Sequence, residues 1–152
     1  AALRSKLEVA EKRLISVGLS LESDIKRSFD TGAGRTYMKG KNRNIIHIAS
    51  APGQPPAVDT GRLRASISTN WSGSGMANGK VGNQALAEDG IDQPERTEDK
   101  FTVRVGTRVQ YGPWLEHGTR RVAARPFIRP ALDKLKARLA SMITRTIESD
   151  RA

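Results

Sequence analysis

A chain of 152 residues is long enough to bury one hydrophobic core and too short for a second independent one, so a single domain spanning 1–152 is expected. With no cysteine, neither a disulfide framework nor a thiolate metal site is available, which fits folding in a reducing cytosol. No apolar run approaches the length needed to span a bilayer, so the chain reads as soluble with no membrane partner, while a formal charge of +10 favours acidic partners such as nucleic acid or acidic protein surfaces.

Leu3, Leu7, Ala10, Leu14, Val17, Leu21 and Ile25 recur at steps of four and three. That spacing predicts an amphipathic helix with these residues inward and Glu8, Glu11, Lys12, Arg13, Glu22, Asp24 and Lys26 on the other faces. Its heptad-like regularity also suits contact with a helix of another subunit. Phe29 and the Asp30-Thr31-Gly32 run end it.

Residues 31–44 hold Gly32, Gly34 and Gly40 among Arg35, Lys39, Lys41 and Arg43, with only Tyr37 and Met38 to bury. The stretch is expected to be a mobile basic loop, a candidate contact for DNA or an acidic neighbour. It is not a phosphate-binding loop, because the glycines Gly34 and Gly40 enclose five residues rather than four and Lys41 is followed by Asn42 instead of Ser or Thr. After the apolar Ile45 to Ile48, the proline-rich Ala51 to Val58 is predicted to be an extended arm or loop. Asp59 or Thr60 can cap a short helical turn through Arg64. From Ser66 to Trp71 the chain alternates Ile67, Thr69 and Trp71 with Ser66, Ser68 and Asn70, which predicts a strand.

Residues 72–100 begin with Gly73, Gly75 and Gly79 and end with Glu88, Asp89, Asp92, Glu95, Glu98 and Asp99. With little to bury beyond Val81, Leu86 and Ile91, they read as a mobile insertion or hairpin whose ordering entropy has no hydrophobic compensation. Phe101, Val103, Val105, Thr107 and Val109 then alternate with polar neighbours and predict a second strand. It leads into Tyr111 to Leu132, where Pro113 suits the start of a short helix, Gly118 a left-handed closing residue, and Pro126 or Pro130 the opening of the next helix. That last helix is predicted from Ile128, Leu132, Leu135, Leu139, Met142, Ile143 and Ile147, with Lys134, Lys136, Arg138 and Arg145 outside. The order implies an α+β fold in which long N- and C-terminal helices pack on a small, mostly antiparallel sheet, with long mobile loops.

No residue set has the spacing of a catalytic centre. His47 and His117 lack a second histidine or paired carboxylates at metal-ligand spacing, and Glu116 next to His117 points elsewhere on a helical turn. Gly73-Ser74-Gly75 lacks the strand-turn-helix that would expose a nucleophilic serine. The chain is therefore read as non-enzymatic, with no cofactor and no metal. Trp114, Phe127 and the arginines Arg120, Arg121, Arg125 and Arg129 are the candidates for structural or interface roles, since arginine offers a planar fork of donors suited to interfaces and phosphates.

The Asp59-Thr60-Gly61-Arg62-Leu63-Arg64-Ala65-Ser66-Ile67 run, Tyr111 to Thr119, and Ala124-Arg125-Pro126-Phe127-Ile128-Arg129-Pro130-Ala131-Leu132, in that order after the proline-rich arm, resemble the neck and tail-completion proteins of long-tailed bacteriophages. The likeness is to the gene-product-ten type of the lambdoid phages and to relatives of minor tail protein Z, and it covers about residues 1–148. It implies a virion component, made in the host cytoplasm, that sits at the head-to-tail junction as a homo-oligomeric ring of six or twelve copies. Implied partners are neighbouring connector, tail terminator or tail tube proteins, with packaged DNA nearby. A small DNA-binding protein using the same basic surface is the alternative.

Overall fold

The computed structural model describes residues 2–29, 36–41, 43, 45–72, 79–81 and 100–149. Arg35 lies outside these residues, as do 73–78 and 82–99 of the expected 72–100 insertion. The fold is α+β. Helices α1 (Ala2–Ser28) and α4 (Arg129–Ser149) flank a chain that contains strands β1 (Thr36–Lys39) and β2 (Ile45–Ile48), helix α2 (Arg62–Ser66), strands β3 (Ser68–Ser72), β4 (Gly79–Val81) and β5 (Thr102–Gly106), and helix α3 (Gly112–His117).

β3 is the central strand of a three-stranded antiparallel sheet in the order β4-β3-β5, with Thr69 opposite both Val81 and Val105. α1 lies on this sheet and against α4. The approach is closest at Gly18, where an added Cβ would stand 2.7 Å from Val103 Cγ1 and 3.1 Å from Thr69 Cγ2. One turn further, Glu22 is buried and accepts a hydrogen bond from Thr69 Oγ1 at 2.6 Å while pairing with Lys26 at 2.5 Å. A carboxylate taken out of water needs such partners.

The core cluster joins Leu21, Ile25 and Phe29 of α1 and its end to Leu63, Ile67, Val109, Phe127, Ala131 and Leu135. Phe127 packs its ring 5.3 Å from that of Phe29. Full burial of an aromatic side chain of this size contributes roughly 2–3 kcal/mol. α2 is tied to the end of β5 through hydroxyls: Ser66 Oγ donates to Leu63 O, Thr107 donates to Ser66, and Val109 N–H donates to Thr107 Oγ1.

Three sequence expectations change. The expected face of α1 is buried only along its C-terminal half: Leu21 and Ile25 lie in the core and Val17 is half-buried, whereas Leu7 and Leu14 are 50% and 42% exposed, and Glu11, Ile15, Gly18 and Glu22 are buried on the neighbouring face. Eighteen residues make five full turns, so Leu7 lies on the same side of the helix as Ile25, and Leu14 is nearly in line with Leu21; their exposure marks where the core stops along α1, not a change of face. Second, the expected basic loop contains β1, which pairs antiparallel with β2, Thr36 opposite Ile48 and Lys39 opposite Ile45. The turn is closed by Gly40 and Arg43, both at positive φ, with Arg43 N–H donating to Gly40 O. Third, β3 is buried on both sides, so Ser68, Asn70 and Ser72 are as enclosed as Thr69, while Trp71 is only half-buried.

Candidate functional site

The segment from α3 to α4 is held by backbone geometry and one carboxylate. Pro113 stands in the first turn of α3, where its missing N–H is not needed, and Gly118 follows the helix at φ 76° and ψ 175°. This is positive φ as the sequence suggests, but extended rather than left-handed helical, in a region essentially restricted to glycine. A side chain at Gly118 would also meet the backbone, with Ala124 N at 2.8 Å and Val122 O at 3.0 Å. Beyond it, Thr119 N–H donates to Val122 O while Thr119 Oγ1 accepts from Val122 N–H at 3.1 Å, closing a tight turn that carries Arg120 and Arg121 at its exposed tip.

Glu116 is the residue whose role the sequence conceals. Its Oε2 accepts from Phe127 N–H at 2.8 Å and Ile128 N–H at 2.9 Å, and its Oε1 from Arg129 N–H at 2.9 Å. The carboxylate of α3 thereby caps α4, meeting donors that have no intrahelical partner and placing negative charge at the positive end of the helix. A local capping box lies within one turn of its helix; this one reaches across eleven to thirteen residues, so no short motif reports it.

Arg125 acts as a clip. Its backbone N–H donates to Leu115 O at 2.6 Å and its Nε–H to Ser50 O at 3.3 Å, while Gly53 N–H donates to Ala124 O at 2.9 Å. The proline-rich arm is therefore fastened to the α3–α4 connection. Between the arm, α2 and α3 lies a cleft of about 670 Å³. The side-chain cap expected of Asp59 or Thr60 does not form on α2: its N-cap is Gly61, at φ 79° and with no side-chain cap, and Thr60 Oγ1 accepts from Arg62 N–H at 3.4 Å in the turn that leads in.

The predicted interface residues separate into two groups. Phe127 is core and Arg125 is a half-buried structural link. Trp114, 54% exposed, is not core, and Arg120, Arg121 and Arg129 are exposed on the same connection. Lys41 and Arg43 are exposed at the turn of the β1–β2 hairpin, and Lys39 is the last residue of β1. The structure thus does not gather the two basic sets into one described cluster of contacts. It adds apolar surface that sequence periodicity assigned to the interior or left unread: Leu7 and Leu14 on α1, and Met38, Ile46 and Ile48 on one face of the hairpin, the last three 56%, 68% and 50% exposed. Among the described residues no group of three or more His, Asp or Glu is placed to hold a metal ion, and no helix is long and apolar enough to cross a membrane. Compared with protein-family models, with curated proteins and with solved structures, the chain finds no match in any of the three.

Proposed function

We propose that this protein is a non-enzymatic structural subunit of the head-to-tail junction of a long-tailed phage, working as a ring of copies. The observation that carries the reading is the pair of unlike exposed apolar faces, the Leu7 and Leu14 side of α1 and the Met38, Ile46 and Ile48 face of the hairpin. An isolated two-stranded hairpin is marginal in water, and exposed apolar surface on both features is the material of heterologous contacts, in which one face of a subunit meets a different face of the next. The resemblance of the 59–67, 111–119 and 124–132 runs to phage neck and tail-completion proteins supplies the junction; virion location and junction partners belong to this proposal.

Phage lacking the gene is expected to accumulate filled heads and finished tails that do not join, scored by electron microscopy and infectious titre. Normal titres from the deletion would sink the neck reading. The exposed Lys41, Arg43, Arg120 and Arg121 support a second reading as a small DNA-binding protein. It requires a duplex-DNA mobility shift that weakens steeply as salt rises, because phosphate contacts release counterions.

A further inference from the structure

We infer that the cleft between the proline-rich arm, α2 and α3 is the docking site for the acidic stretch Leu86 to Asp99 of a second copy of this chain. The inference rests on the ring reading, since it names how one subunit engages the next. The cleft has apolar lining residues that include Phe29, Val58, Leu63 and Leu115, and its volume of about 670 Å³ is in the range of pockets that take a few side chains. Its charged lining is Arg62, Arg64 and Arg125 against Asp59, a net of +2. Ser50, in the same wall and 4% exposed, has a buried hydroxyl with no hydrogen-bond partner. A polar group left in that condition is destabilising until a partner reaches it.

The complementary chemistry is in the chain itself. Within an overall charge of +10, Leu86 to Asp99 carries six carboxylates, Glu88, Asp89, Asp92, Glu95, Glu98 and Asp99, against the one arginine Arg96, a net of −5. Leu86 precedes the carboxylates and Ile91 lies among them, so a lining that is both apolar and basic suits the stretch as a whole. Glu98 and Asp99 immediately precede Lys100, which leads into β5 where Thr102 pairs with Ser72. The cleft borders the opposite end of β3, beside α2, and the strand between spans about 14 Å at ~3.4 Å per residue. A stretch of this length reaches farther than that, so the choice of another copy comes from the ring reading, and self-association of the whole chain separates it from docking within one chain.

The test uses the whole chain. Sedimentation velocity should show self-association that weakens as salt rises from about 0.05 M to about 0.5 M, since charge pairing at a rim is screened. The pair Arg62→Glu and Arg64→Glu should weaken association about tenfold or more, and so should Glu88→Lys with Asp92→Lys, with melting temperatures close to the parent's. Mixing the two double variants in equal amounts should restore association between unlike variants, because the unaltered cleft of one then meets the unaltered stretch of the other. A synthetic peptide of residues 85–99 should compete with the parent's association. The proposal is overturned if the parent does not associate, if either double variant associates like the parent, or if the mixture recovers nothing. Rings that form normally in virions from both double variants would overturn this contact alone, whereas charge-swap rescue in a protein absent from virions would overturn only the neck reading.

Discussion

Glu116 meets three backbone donors of another helix with one side chain, so its removal exposes all three at once. Glu116→Ala is expected to cost about 2 kcal/mol, in the range of hydrogen bonds to a charged acceptor and of a lost helix cap. Glu116→Gln keeps one acceptor oxygen and should lose about half of that, which denaturant titration of the two variants resolves. Glu11 presents the opposite case. It is 3% exposed and neither carboxylate oxygen has a hydrogen-bond partner. Replacing it with a flexible apolar side chain of similar length removes an uncompensated polar burial, so Glu11→Met should raise stability by about 1–3 kcal/mol. A fall in melting temperature would show that the carboxylate has a stabilising role which its geometry does not display.

α1 is positioned by what it lacks. Gly18 lowers the intrinsic helix propensity of the segment by about 1 kcal/mol relative to alanine, yet it lets the helix approach β3 and β5 so that Glu22 reaches Thr69. Gly18→Val would drive its side chain into Val103 and Thr69, and the fold should lose about 1–3 kcal/mol by overpacking. The diagnostic is a lowered midpoint in urea with an unchanged slope. Toward its start α1 runs past the core that holds Leu21 and Ile25, so Leu7 and Leu14, on the same side of the helix, form an exposed apolar stripe. α4 shows the simpler outcome: Ala131 and Leu135 are buried, Ile128, Leu132 and Leu139 are half-buried, and Lys134, Lys136 and Arg138 are exposed, in agreement with its periodicity. Arg138 links the two helices, donating to Ser20 Oγ at 3.0 Å and pairing with Asp24 at 3.3 Å. Exposed pairs of this kind contribute between zero and about 1 kcal/mol, so the helices are held mainly by the shared core.

For the molecule as a whole, the arginines of the α3–α4 connection divide stability from assembly. Arg120 and Arg121 are exposed at the tip of a turn closed by backbone and threonine contacts, and Arg120→Glu with Arg121→Glu should leave the melting temperature within the equivalent of about 0.5 kcal/mol. On the proposed neck reading, joining of heads to tails should nevertheless fall in phage carrying this pair, because exposed charges steer and register contacts more than they stabilise folds. Arg125→Glu should instead lower stability, since Arg125 fastens the arm at Ser50 and lines the cleft. Equal stability losses in the two variants would remove the distinction between tip and clip.

The α+β order, both long helices, the strands around Thr69 and Val105 and the proline and glycine punctuation of the 111–132 connection are all legible in the chain, because each follows from local periodicity or from backbone restrictions of single residues. Four features are not local. How much of the apolar side of α1 is covered depends on the elements packed against it, Val103 and Thr69 meeting the helix at Gly18. The pairing of β1 with β2 depends on Ile45 to Ile48, which gives a short basic segment a partner that its own composition does not announce. The cap of α4 depends on a carboxylate in another helix, and the cleft on the arm that Arg125 draws against α3. Periodicity states that a face is apolar; only tertiary packing decides how much of it is covered, because the free energy of burial belongs to the pair of surfaces and not to either segment alone.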